Sequence, residues 1–218
     1  MKKVYLSVLI VSMLIVFNKI NAQTTFSLGV RAGMSIANLS FDPDLPSVLE
    51  KSSRTGVNFG ALAEIAFADI FALQIEPTYT QGGSKLSANG LESTIKVSSL
   101  AIPVLFKVNI PAGGVVTPYA FAGPNLAFIL SAKGESGGEE TDIKDQVSST
   151  NFGIDLGAGV SFSVAPRTKI IFDARYSLGL SDVLNDTGKQ GWYQDTGIRD
   201  QKIKSTGINL LAGVVFGL

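Results

Sequence analysis

The chain has 218 residues, with 18 basic and 18 acidic side chains, 23 glycines, no cysteine and no histidine. Lack of Cys removes disulfides and thiolate metal sites, and lack of His removes the usual general base near neutral pH together with the commonest metal ligand. The balanced charge leaves no basic field to attract nucleic acid.

In chain order, the first element reads as a secretory signal. Lys2 and Lys3 precede an apolar run from Val4 to Phe17, and Ala22 offers a small residue before a cut. Residues 1–22 are therefore expected to be a cleavable signal peptide, and 23–218 the mature domain. The apolar run is shorter than the roughly 18 residues of a spanning helix, which argues against a retained anchor. With no Cys near the cut, a lipoprotein is excluded. Cleavage also removes Lys2, Lys3 and Lys19, leaving a mildly acidic mature chain.

From Phe26 to Ile36 every even position is apolar, and the odd positions between them are Ser27, Gly29, Arg31, Gly33 and Ser35. That period of two describes a strand with one apolar and one polar face. Seven further segments resemble it, so strands are predicted at 26–37, 56–67, 71–82, 94–108, 117–131, 150–164, 168–181 and 204–218. The pattern has faults: Leu62, Leu211 and Val215 fall on polar faces. Pro103 and the run Gly123-Pro124-Asn125 are expected to mark a bulge or kink where a face switches. Connections alternate between short (68–70, 109–116, 165–167) and longer, more polar ones (38–55, 83–93, 132–149, 182–203).

A soluble barrel of the lipocalin kind carries the same alternation turned inside out. Three features favour the membrane. Strands of about 10–14 residues suit a tilted crossing of the bilayer. The polar faces are rich in Gly and Ser, with few lysines. Phe26, Phe67, Phe71, Phe106, Phe121, Phe162, Phe172 and Phe216 all map toward the short-turn side, as an interfacial girdle would. In hydrocarbon every backbone N–H and C=O must be paired within the protein, so such a sheet has to close. The expected fold is all-β: an eight-stranded antiparallel up-and-down transmembrane β-barrel with short periplasmic turns and longer extracellular loops. A barrel of eight strands fills its own interior, which argues against a wide pore.

The segments Gly29-Val30-Arg31-Ala32-Gly33-Met34-Ser35, Pro118-Tyr119-Ala120-Phe121-Ala122-Gly123-Pro124 and Gly157-Ala158-Gly159-Val160 resemble the PorT-like outer-membrane β-barrel domain family across the mature chain. The resemblance implies an eight-stranded barrel in the outer membrane of a Gram-negative bacterium, and no defined biochemical activity for most members. This chain ends in Leu218 where a terminal aromatic is common, with Phe216 two residues earlier on the same face.

By strand parity Arg31, Glu64, Gln74, Glu76, Asp155, Asp173 and Arg175 face the lumen. Isolated charges there are costly unless paired, so Arg31, Glu64, Glu76, Asp155, Asp173 and Arg175 are expected to form a lumen charge network, with nearby glycines making room. A narrow conducting path is the competing reading. An acid-only mechanism on Glu64, Glu76, Asp155 or Asp173 has no spacing to support it, and no enzyme is expected. The loop 132–149 carries Glu135, Glu139, Glu140, Asp142 and Asp145, either a divalent-cation site without EF-hand spacing or a solvated charge run. Trp192 and Tyr193 in loop 182–203 are candidate loop contacts, or part of an outer aromatic belt.

The leading functional reading is a structural or surface-interaction barrel without catalysis. The alternatives are a small-solute channel or a component of a secretion machinery, the latter suggested only by the family's namesake. Expected partners are outer-membrane lipid, the insertion machinery and a surface protein or polymer. No nucleic acid and no cofactor are expected, and the barrel is expected to be a monomer.

Overall fold

A computed structural model describes residues 24–42, 50–67, 70–88, 91–196 and 202–218. The expected signal segment at 1–22 lies outside the described residues. Ten strands follow in order: β1 (Thr25–Asp42), β2 (Glu50–Phe67), β3 (Phe71–Ile75), β4 (Thr78–Ala88), β5 (Leu91–Asn109), β6 (Val116–Ser136), β7 (Glu139–Asp142), β8 (Thr150–Ala165), β9 (Thr168–Gly179) and β10 (Lys202–Gly217). A short 3-10 turn (Lys144–Gln146) and one helix, α1 (Asp186–Thr196), lie between strands at the end of the barrel opposite the short turns.

These ten strands make eight staves. β3 and β4 keep one register against β2, Ala63 opposite Ile75 and Gly60 opposite Thr78, with Glu76-Pro77 between them. The ladder runs through that interruption, because Pro77 needs only its carbonyl, which accepts from Ala61 N–H, while Glu76 N–H donates to the Pro103 carbonyl, both at 3.1 Å. β7 is no stave; it folds back on the upper part of β6. The staves run antiparallel in chain order, and β1 closes on β10 from Ser27 opposite Gly217 to Asp42 opposite Lys202. Closure removes the sheet edges that hydrocarbon would not tolerate.

Burial in β1 alternates as the sequence does, but inverted relative to a soluble protein. Phe26, Leu28, Val30, Met34 and Ile36 are exposed, while Ser27, Arg31 and Ser35 are buried. The same outward apolar face continues on β8, β9 and β10 through Leu156, Phe172 and Leu210. Along β1 the apolar band covers alternate positions from Phe26 to Ile36, about 25 Å at ~3.4 Å per residue and ~40° tilt, the height of a bilayer core as barrels meet it.

Several expectations need correction. The staves rise further above this band than predicted, because beyond lipid an inter-strand ladder no longer requires an apolar outer face. β5 and β6 remain paired up to Ser93 opposite Ser136. The expected loop 132–149 is therefore largely a β6–β7 hairpin, and the expected loop 182–203 contains α1. Asn185 caps that helix: its Oδ1 accepts from Gly188 N–H at 3.0 Å. The face switch does not fall at Pro103 or Gly123-Pro124-Asn125. It falls at Leu130, the extra residue between the pairs Ser98–Ser131 and Ser99–Ile129. Phe121 lies at the predicted height but on the other face, buried in the lumen.

Candidate functional site: the barrel lumen

The lumen is filled in layers. Nearest the short turns, Leu62, Ile171 and Val215 pack together, each at most 6% exposed. The pattern faults at Leu62 and Val215 are thus inward apolar residues that close the periplasmic end. Beside them Lys107 Nζ pairs with Glu64 Oε2 at 2.8 Å and sits 4.0 Å from the centre of the Tyr119 ring.

Above this lies the charge network. Arg31 pairs with Glu76 through Nη1 and with Asp173 Oδ2 through Nη2 at 2.5 Å. Arg175 Nη2 reaches Glu76 Oε2 at 2.6 Å, and its Nη1 lies 3.4 Å from Asp155 Oδ2. Glu76, fully buried, is the hub, and Gln74 also donates to it. Tyr119 Oη donates to Asp173 Oδ2, and Asn125 Nδ2 to both Asp155 oxygens, each at 3.2 Å. The Arg175 guanidinium lies 5.2 Å from the centre of the Phe121 ring. Two arginines bridging three carboxylates on four staves tie the barrel across its interior, where a lost partner would strand a buried charge.

The neighbouring staves make room for these groups by giving up side chains. A Cβ at Gly157 would stand 2.5 Å from the Phe121 ring, and one at Gly159 2.6 Å from the Tyr119 ring. Five of the six predicted network residues, Arg31, Glu76, Asp155, Asp173 and Arg175, are joined directly. Glu64 stands apart on Lys107, whose ammonium lies over the Tyr119 ring. The sequence reading missed Lys107, Tyr119 and Asn125. The odd-position parity of β5, continued through Pro103 and Leu105, points to Lys107, but reading Pro103 as a switch hid it.

Toward the extracellular end the lumen changes character. Leu39, Phe41, Ile129, Ala132, Val147, Val183 and Ile203 form the largest buried apolar cluster among the described residues, with Ile143 and Leu184 against it. A cavity of about 230 Å³ opens within this layer and ends at Arg175 and Asp155.

On the outer hairpin Lys96 Nζ lies 2.6 Å from both Glu135 Oε2 and Glu140 Oε1, and Lys133 Nζ 3.0 Å from Glu140 Oε2. Those hydrogen bonds hold the Glu140 carboxyl down to about 2. Two of the acidic residues considered for a cation thus face lysines, and no cluster of three metal-ligating carboxylates occurs among the described residues. Tyr193 is exposed on α1, and Trp192 precedes it on the same helix; the Trp192 side chain lies outside the described residues.

Comparison with known proteins agrees with this architecture. A family model for the outer membrane protein beta-barrel domain matches residues 21–185. Among solved structures, the chain is similar to the outer membrane protein OprG from Pseudomonas aeruginosa, with a TM-score of 0.57 and 11% identity over 92% of this chain and 99% of that one. It is also similar to Neisserial surface protein A, with a TM-score of 0.51 and 19% identity over 88% of this chain and 96% of that one. No curated protein sequence matches the chain.

Proposed function

Since this chain belongs to the outer membrane protein beta-barrel domain family, we propose that it is exported by a signal peptide cleaved after Ala22 and works as a monomeric structural or surface-interaction barrel, without catalysis and without conducting solutes. Residence in the outer membrane follows from the family and the fold. The narrower kinship with PorT-like barrels rests on the three sequence segments that carry the resemblance.

The observation that carries the reading is the sealed lumen. Arg31, Glu76, Asp173 and Arg175 occupy its middle with direct ion pairs, and Leu62, Ile171 and Val215 fill the layer beneath. The carboxylates a catalyst would use are held by arginines, and the full sequence has no His to serve as their base. Among the described residues, the surface left for partners includes the hairpin of β5, β6 and β7 together with α1, above the lipid band. The barrel is inserted by the outer-membrane machinery and meets a surface protein or polymer through these elements.

Planar-bilayer recording of the folded protein tests the reading. No stepwise conductance above the lipid baseline is expected, whereas reproducible unitary steps would overturn the sealed lumen.

A further inference from the structure

We propose that the extracellular half of the lumen is a blind binding site for a small, predominantly apolar molecule bearing one uncharged hydrogen-bond donor, such as a medium-chain alcohol. A barrel interior that only had to be filled would have no need to leave room inside an apolar layer. The cavity of about 230 Å³ has walls of Phe41, Val97, Ile129, Val147, Val183 and Ile203. Ligand pockets are mostly apolar with a few placed polar groups, and usually begin at about 300 Å³, so this one suits a short chain.

Polar side chains line the upper wall at Asn38, Asn151, Ser205 and Thr206, and the buried acceptors without a partner lie at the inner end. Asn209 is opposite Ser35 in the β1–β10 register, below Leu39 and Phe41, and with Asn58 and Asn125 it lines the cavity next to the charge network. Asn58 Nδ2 donates to Asn209 Oδ1 at 3.2 Å, and Asn209 Nδ2 donates to Ser177 Oγ at 3.1 Å. The orientation of Asn125 is fixed by its amide donating to both Asp155 oxygens. The side-chain carbonyl oxygens of Asn58 and Asn125 are left buried without a partner, although Asn58 is only 5% exposed. An unpaired buried acceptor is costly, and a hydroxyl donor on the ligand would satisfy one. A carboxylate head fits poorly, because Asp155 lies beside Asn125 and Arg175 is engaged by Glu76 and Asp155.

The test is methyl NMR of the whole barrel in lipid nanodiscs, titrated with octan-1-ol, octane and octanoate. Outward methyls of Val30 and Leu210 report partition into lipid, and inward methyls of Ile129, Val147 and Ile203 report the cavity. Saturable shifts confined to the inward methyls are expected with octan-1-ol, at least ten-fold weaker with octanoate and weaker with octane, and abolished by Ala127→Phe. If that variant fails to refold, Ala37→Leu fills the same space. Inward methyls that stay still or drift linearly with the outward ones overturn the site. Saturable binding that survives filling overturns its location, and octanoate or octane binding as tightly as octan-1-ol overturns the neutral donor head. A sealed barrel that fails this test still lacks conductance, so the two readings fail separately.

Discussion

The two halves of the lumen solve the same problem with opposite chemistry. In the periplasmic half, above the layer of Leu62, Ile171 and Val215, long charged side chains from distant staves meet at the fully buried Glu76. Toward the extracellular end, short apolar side chains from Leu39 to Ile203 line the wall and leave a cavity. The first arrangement is rigid because each charge depends on its partner. The second tolerates change because dispersion and burial are spread over many contacts. One half therefore serves to hold the barrel shut and the other is free to accept something.

Two substitutions separate these halves, and a third, smaller effect marks the hairpin outside them. Glu76→Leu removes the hub and leaves Arg31 and Arg175 each short of a buried partner, which should cost roughly 3–5 kcal/mol. Urea unfolding of the lipid-embedded barrel, followed by its gel shift between folded and unfolded forms, measures this; a cost under about 1 kcal/mol would show that the network does not lock the lumen. Ile203→Ala in the apolar layer should cost about 2 kcal/mol in the same assay, near the low end for such truncations, because the site already borders a cavity. Equal costs for the two variants would erase the contrast between the halves.

The smallest effect lies outside the lumen. The Glu140 carboxyl is depressed from 4.5 to about 2 by hydrogen bonds from Lys96 and then Lys133. A depressed carboxylate stabilises fully above its unfolded value, so this pairing holds the hairpin tip at pH 4.5 and above and is lost as pH falls through about 2. A carbon-detected titration of the Glu140 carboxyl, with the β7 amide shifts following it, should give a midpoint near 2. A midpoint near 4.5 would mean that the lysines do not hold it.

Much of this was legible in the sequence because lipid imposes a strict rule. Where a stave faces hydrocarbon, polarity must alternate, and Phe26 to Ile36 shows the period without a fault. The inward charges of β1, β8 and β9 followed from parity alone, since Arg31, Asp155, Asp173 and Arg175 sit between outward apolar residues. Legibility failed where that rule lapses. Above the bilayer nothing forces alternation, so the upper β5–β6 ladder, β7 and α1 looked like loop. Inside the lumen apolar residues are also permitted, so Leu62 and Val215 looked like errors and Phe121 was placed on the outer face. The cavity left no local signal at all, because its walls come from staves far apart in the chain and become neighbours only when the sheet is a cylinder.

The span of the Arg31–Asp173 pair bears on how the molecule is made. The two residues are 142 positions apart, on the first and seventh staves, and β1 finds its last backbone partners only in β10. Such distant contacts carry a large loop-closure entropy and form late. Until the seam joins, the future interior is an open groove whose carboxylates and guanidinium groups are still hydrated. Joining the seam dehydrates them together, at the moment their partners arrive, so a partly assembled barrel need not hold a bare charge in a dry core. Assembly of this protein should then end in a single cooperative step, with interior ion pairing and completion of the wall as one event.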